Sequence, residues 1–311
     1  MLTNLELLDI ANQKLSIGDL TDNELLEFCR VANERYRNGN PIISDENYDF
    51  IFIPELVKRL PENPFLQQIE NESTGFSEEK IKLPEKMLST DKAYSWEEIN
   101  KWLERITKFS KEINYSFNSI QIKGTAKLDG FAGFDDGVKL YTRGDGKKGS
   151  DISRVFERGL GIFNDSERGQ GPGEIVVKRS YFEKHLSNHF EYPRNFQASL
   201  IKEKELDKFA INAISTKAAL FVPFTQLPQW VGSINEFSDQ FLDIVNLLEG
   251  GVDFDIDGVV FEIVNPELKK HMGSNRKFHR WQIAFKENKE KAQVKVLSIT
   301  AQVGRTGKIT P

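Results

Sequence analysis

Ile120-Gln121-Ile122-Lys123-Gly124-Thr125-Ala126-Lys127-Leu128-Asp129-Gly130 is the stretch whose reading decides the fold. Apolar and polar residues alternate up to Lys127, the period of a strand with one buried face. Asp129-Gly130 reads as a turn and Phe131-Ala132-Gly133-Phe134 as the next strand, which predicts a hairpin with Lys127 near its end. Asp135-Asp136-Gly137 then turns the chain into a return strand over 138–142. An ordinary lysine, with a pKa of about 10.4, is protonated at neutral pH. It attacks an electrophile only after losing that proton, which burial or a second cation promotes. A K-x-D-G match arises by chance about one time in ten in a chain of this length. Those four residues alone read more readily as a surface hairpin with an exposed lysine.

The chain has 311 residues and a formal net charge of −5. That length can bury a large core and suggests two domains. The acidic balance excludes a globally basic nucleic-acid binder but not a local basic face. Cys29 is the single cysteine, so disulfides and cysteine-based zinc sites within the chain are excluded. Neither a signal peptide nor an apolar run of membrane-spanning length is visible, and a cytoplasmic protein with no membrane partner is expected.

Residues 1–75 read as a helical domain. Thr21 with Glu24 makes a capping box, and Leu25, Cys29 and Ala32 share a helical face. Gly39-Asn40-Pro41 breaks that helix, Ser44-Asp45 starts another, and Pro54 should kink it. Residues 71–86 read as a polar connection. Ser95 with Glu98 caps a helix whose apolar face is Ile99, Trp102, Leu103 and Ile106. After 143–151, a loop with three glycines, Gly173-Glu174-Ile175-Val176-Val177 reads as a strand, followed by a short helix capped by Ser180. Residues 195–218 are poorly periodic, 219–224 read as a buried strand and 237–249 as one helix. Two more strands begin at Asp255 and Trp281, and a strand-like tail runs over 294–311. Lys127, Glu174, Asp257 and Lys286 therefore fall at strand ends. Two lysines and two carboxylates on one sheet suit phosphoryl or nucleotidyl transfer, which needs a nucleophile, cations for phosphate charge, and carboxylates.

The order of motifs resembles the NAD-dependent DNA ligases over most of the chain. Pro41-x-Ile43-Ser44-Asp45-x-x-Tyr48-Asp49 is similar to their helical N-terminal domain, and Met87-Leu88-Ser89 to the segment before their nucleotidyltransferase core. Lys127-Leu128-Asp129-Gly130 looks like their nucleophile motif and Thr142-Arg143-Gly144-Asp145-Gly146-x-x-Gly149 like their glycine-rich loop. Gly173-Glu174, Tyr192-Pro193-Arg194-Asn195, Asp257-Gly258-Val259-Val260 and Arg280-Trp281-x-Ile283-Ala284-Phe285-Lys286 continue the series. The segment 302–311 is similar to the start of an OB-fold. The resemblance implies an α+β protein with three parts. They are a helical domain for nicotinamide mononucleotide (NMN) over 1–75, an ATP-grasp-like nucleotidyltransferase core of antiparallel sheets flanked by helices over 76–291, and the start of an OB-fold or a tail over 292–311. It implies that Lys127 attacks the α-phosphorus of NAD, expels NMN, and carries AMP to the 5′-phosphate of nicked DNA. Glu174 would contact the ribose and Lys286 the α-phosphate, while Asp129 and Asp257 orient the lysine or a Mg²⁺. Tyr36, Asp45, Tyr48 and Asp49 would hold the NMN half, with Ser89, Thr90, Thr125 and Arg143 completing the nucleotide site. The implied DNA-wrapping parts (OB-fold, zinc finger, helix-hairpin-helix) would lie on a second subunit or elsewhere in a longer protein.

Several positions depart from the family pattern. Thr125 stands where a glutamate is usual and Glu262 where a phosphate-contacting lysine is usual, which reverses a charge. An expected arginine falls near Glu249 and Gly250. The basic residue expected after Asn195 has Lys202 as its nearest substitute. Arg35 occupies an aromatic or histidine position, and the Lys127 hairpin is short. The expectation is a divergent ligase, viral sources included, with compensating cations among Lys123, Lys147, Lys148 and Lys202. The alternative is a non-catalytic nucleotide- or partner-binding subunit.

Overall fold

The computed structural model describes residues 2–12, 14–67, 80–202 and 205–287, with the backbone of 302–303 and 309–310. The alternating stretch is a strand, Gln121–Leu128, whose apolar side chains Ile122, Ala126 and Leu128 are buried. Successive side chains of a strand point to opposite faces, so Lys123, Thr125 and Lys127 share the other one. The strand lies second in a five-stranded sheet ordered Gln229–Ser233, Gln121–Leu128, Ile256–Ile263, Phe278–Phe285, Ser89–Ala93, with only the last pair parallel.

The expected hairpin at Asp129-Gly130 does not form. Phe131–Asp135 belongs to a second five-stranded sheet, where it lies between Leu140–Thr142 and Gly171–Val177. Ala219–Pro223 and Gly161–Ile162 complete that sheet. Asp129-Gly130 is thus the crossing from one sheet to the other. Leu128 faces Val176, Val222 and Phe254 in an apolar cluster fed by both sheets, and the hydrophobic gain of that burial separates the two strands. The next hairpin does form, with Val138 N and Lys139 N donating to Asp136 Oδ1 in its turn.

Helix Trp96–Glu112 covers the first sheet with Ile99, Trp102, Leu103 and Ile106, as its period predicts. Trp102 is fully buried. Pro193–Lys202 and Lys208–Ser215 are helices, although the sequence shows little periodicity there. Arg194 and Gln197 are buried on the first, so a polarity count hides its inner face. The single helix expected over 237–249 is two, Ile234–Asp239 and Phe241–Glu249. Ser180 is not a cap: it lies inside helix Arg179–His185 and its hydroxyl and amide bond Asp253.

The N-terminal helices carry an apolar cluster of their own, centred on Leu25, Phe28, Cys29, Phe52 and Leu56. The Thr21–Glu24 capping box is present. Pro54 has no N–H to give to the preceding turn, and Tyr48–Phe52 widens into a π turn just before it. Most of the strand-like tail expected over 294–311 lies outside the described residues. Gln302–Val303 pairs antiparallel with Ile309–Thr310.

Candidate active site

A cleft of about 1710 Å³ lies between the N-terminal helices and the open face of the first sheet. Every site residue expected from the sequence lines it: Lys127, Asp129, Glu174, Asp257 and Lys286, with Tyr36, Asp45, Tyr48, Asp49, Ser89, Thr90, Thr125 and Arg143. Sites for drug-sized ligands occupy about 300–1,000 Å³, so the space suits a larger dinucleotide.

Strand geometry places the first members. Lys127 and Thr125 face the cleft by the period of two. Asp257 reaches the same face as Val260 and Glu262 only because the strand bulges between Ile256 and Val259. An odd spacing needs one extra residue to keep the face. Gly258 makes the bulge, at φ +127°, and a Cβ there would lie 2.2 Å from Phe285 O. One Asp257 oxygen then meets Lys127 Nζ and the other meets Lys286 Nζ.

Lys286 is the hub. It contacts Asp257, Asp49 and, at 2.7 Å, Asp45. Asp45 and Asp49 are four apart on their helical stretch and so present one face. Lys92 closes the ring on Asp49. Burial pulls the Lys286 pKa down, but Asp257, Asp45 and Asp49 outweigh it and hold Lys286 firmly cationic. Against the cost of its own burial, Asp45 is held well below the usual carboxylate range by Lys286 and Lys92. Burial raises the Asp257 carboxyl to about 6, although Lys127 and Lys286 pull the other way. Burial, helped by Lys286, lowers Lys92.

The oxygens of Asp45, Asp49 and Asp257 lie within 4.8 Å of one another, a spacing open to a divalent cation. The Lys286 ammonium already sits against all three, so these residues do not fit a resident Mg²⁺.

The charge reversal at Glu262 is answered locally. Glu262 pairs across the ladder with Lys123. Its Oε1 lies 2.6 Å from Lys123 Nζ and 3.3 Å from Lys269 Nζ. Lys269 also lies over the Trp281 ring at 4.3 Å. The carboxylate is thus held between two cations, and the wall keeps one net positive charge. Among the other expected substitutes, Lys147 lines the cleft. Lys202 instead donates to Asn38 O, and Lys148 lies in a short strand paired with Ile81–Lys82. Arg35 turns away to Asn4.

Arg194 stands out in the sequence only as part of a signature, yet it is buried against the Asp129-Gly130 turn, bonding Asp129 Oδ1 and Gly130 O. Lys92 was missed as well. Nothing in a sequence distinguishes a buried arginine or a ring-closing lysine from surface ones.

Residues 75–210 match the family described as NAD-dependent DNA ligase adenylation domain. Proteins named DNA ligase match more of the chain. The one from Ruthia magnifica subsp. Calyptogena magnifica is 63% identical over 295 residues, which is 95% of this chain and 48% of that protein. The one from Shewanella baltica is 49% identical over 308 residues, covering 99% and 47%. The one from Desulfatibacillum aliphaticivorans is 38% identical over 297 residues, covering 95% and 46%. The chain spans about half the length of the curated relatives it matches. Lys127, Asp129, Arg143 and Glu174 fall within the matched residues, while Asp45, Asp49, Asp257 and Lys286 come from the flanking sequence.

Proposed function

We propose that this chain carries out self-adenylation by NAD, the first step of DNA strand joining, with Lys127 as nucleophile. The observation that carries the reading is Lys127 Nζ set against Asp257 in a cleft whose Lys286 is also tied to Asp257. Asp257, its pKa raised by burial to about 6, is ionised at neutral pH and close enough to accept the proton Lys127 must lose. The freed amine attacks the α-phosphorus. A nitrogen–phosphorus bond forms, the bond to the bridging oxygen breaks, and NMN leaves with that electron pair. Lys286 is the cation best placed for the α-phosphate. The phosphate then replaces carboxylates around Lys286, releasing Asp45 and Asp49 toward the NMN half. Glu174 and Arg143 are assigned to the ribose and phosphate, Thr125 to the base, and Tyr36, Tyr48, Ser89 and Thr90 to the remainder of the dinucleotide. The AMP held on Lys127 passes to the 5′-phosphate of nicked DNA, the proposed partner.

Intact-protein mass spectrometry after incubation with NAD and Mg²⁺ tests this. The wild type should gain the mass of one AMP and Lys127→Ala should gain none. ATP in place of NAD should give no adduct. An unmodified wild type that still binds NAD would refute the reading in favour of a non-catalytic nucleotide-binding subunit.

A further inference from the structure

We propose that Lys92 is the catalytic residue for the leaving group: its ammonium takes the NMN phosphate as the diphosphate of NAD breaks, beside Lys286 on the α-phosphate. The catalytic role rests on Lys127 being the nucleophile; the phosphate site at Lys92 does not.

The first sheet sets the order of these charges. Lys127, Asp257, Lys286 and Lys92 lie on, or directly follow, four successive strands. The register keeps the first three level. Leu128 pairs with Ile256 and Ala126 with Val259, which puts Lys127 beside the bulge at Asp257-Gly258, and Val259 pairs with Phe285, next to Lys286. In the outermost strand Ala93 is buried in the core, while Lys92, paired with Ala284, lines the cleft. Neighbouring strands stand about 4.8 Å apart, so the row runs across the sheet from the nucleophile to Lys92. An in-line displacement has the same order of attacking atom, phosphorus and leaving oxygen. With Lys127 at one end and the α-phosphate at Lys286, the leaving group falls toward Lys92.

The contacts already show one anion shared by the two cations. Lys92 Nζ donates to Asp49 Oδ1 and Lys286 Nζ to Asp49 Oδ2, each at 2.5 Å. A diphosphate presents one charged group to each ammonium in the same way. Access differs between them: the Lys92 side chain is 40% exposed, against 5% for Lys286 and 1% for Asp49. Lys92 is therefore the cation of the ring that a ligand in the cleft reaches first. Desolvation, and after it the Lys286 charge, depress the Lys92 pKa, and a phosphate beside it offsets that repulsion. Charge balance agrees. Once Asp257 has taken the Lys127 proton, Lys92 and Lys286 face Asp45 and Asp49, and a diphosphate displacing those carboxylates exchanges two negative charges for two. As the nitrogen–phosphorus bond forms and the bridging bond breaks, the electron pair goes to the NMN phosphate, which passes from one negative charge to two. Lys92 meets the added charge, and an interaction that grows toward the transition state speeds the step.

The test compares two donors of AMP. Adenosine 5′-phosphorimidazolide carries the same AMP group with imidazole, not NMN, as leaving group. Adduct formation from it and from NAD is timed by mass spectrometry. Lys92→Gln should slow the NAD reaction about a hundredfold and the phosphorimidazolide reaction by less than about threefold. Lys92→Arg keeps the charge and should stay within about tenfold of the wild type with NAD. Lys92→Gln combined with Asp49→Asn removes one charge of each sign, and read against Asp49→Asn alone it should repeat the donor difference in a neutral ring. By calorimetry, the wild type should bind NMN at least about tenfold more tightly than nicotinamide riboside, which lacks the phosphate, and Lys92→Gln should bring the two within about threefold. A Lys92→Gln protein that slows both donors alike, or that keeps the NAD rate, would overturn the proposal, as would Lys92→Arg as slow as Lys92→Gln. A wild type that forms no adduct from either donor defeats the nucleophile reading, and the ratio of NMN to riboside affinity then decides the phosphate site by itself.

Discussion

Restoring a lysine at position 262 should damage this protein. Glu262 Oε1 lies 2.6 Å from Lys123 Nζ and 3.3 Å from Lys269 Nζ. At an effective dielectric of about 20, each contact is worth about 5–6 kcal/mol of gross attraction. Lys123 is about one-third exposed and Lys269 about one-quarter, so screening and desolvation reduce the net value to about 1–2 kcal/mol for the pair of contacts. Glu262→Lys replaces both attractions by repulsions. The charge on the wall rises from +1 to +3. The three chains can swing partly into water, which limits the net loss to about 2–3 kcal/mol. Because Glu262 and Lys123 are directly paired in the ladder, the exchange Lys123→Glu with Glu262→Lys should recover more than half of it. Urea unfolding of the four proteins gives the coupling, and the rate of AMP adduct formation shows whether the lost stability brings any catalytic gain; none is expected. A Glu262→Lys protein as stable as the parent, or a double variant no better than the single one, would refute the argument that this wall is built around a carboxylate.

Lys286→Met leaves Asp45, Asp49 and Asp257 facing one another and should cost about 3–5 kcal/mol at pH 7. The loss should shrink toward pH 5, since carboxyls whose folded pKa has risen bind more protons in the folded state than in the unfolded one; urea midpoints at the two pH values check the sign. In the wild type Asp45 works the opposite way. Held low by Lys286 and Lys92, it adds stability that is present above its unfolded pKa of about 4 and lost as pH falls below it. Adenylation should fall about tenfold per pH unit below about 6, where Asp257 gains a proton, and a pH–rate profile of Asp257→Asn should be low and lack that limb. Away from the cleft, Asp135→Asn should cost about 3 kcal/mol in a thermal or urea melt. The buried Asp135 carboxylate accepts from Arg168 Nε and from the amides of Gly137 and Gly169.

Local order was legible where capping boxes and burial periods are strong, though not at Ser180 or across 237–249. The Thr21–Glu24 capping box, the apolar face of helix Trp96–Glu112 and the buried row Ile122, Ala126 and Leu128 all follow from spacing. That the expected residues share one cleft was legible for a related reason, since the motifs that carry them come in a recognisable order. Partners distant in the chain were not. The same Asp129-Gly130 dipeptide that promises a hairpin joins two sheets, because the apolar side chains beside it find more to bury between the sheets than against each other. Helix Pro193–Lys202 was hidden because its inner face carries Arg194 and Gln197, whose burial depends on acceptors at Asp129 and Gly130.

The sequence by itself determined the strand that aims Lys127, the helical N-terminal segment and the set of charged residues that meet in the cleft, because period and motif order are local properties. The tertiary structure alone decided how those charges are paired. It made Lys286 the hub of three aspartates, turned Glu262 from a reversed charge into the anion between Lys123 and Lys269, and set Arg194 over the rings of Tyr36 and Phe131. The physical reason is that Coulomb energy and desolvation depend on separation and burial in space, and a linear chain specifies neither until it has folded.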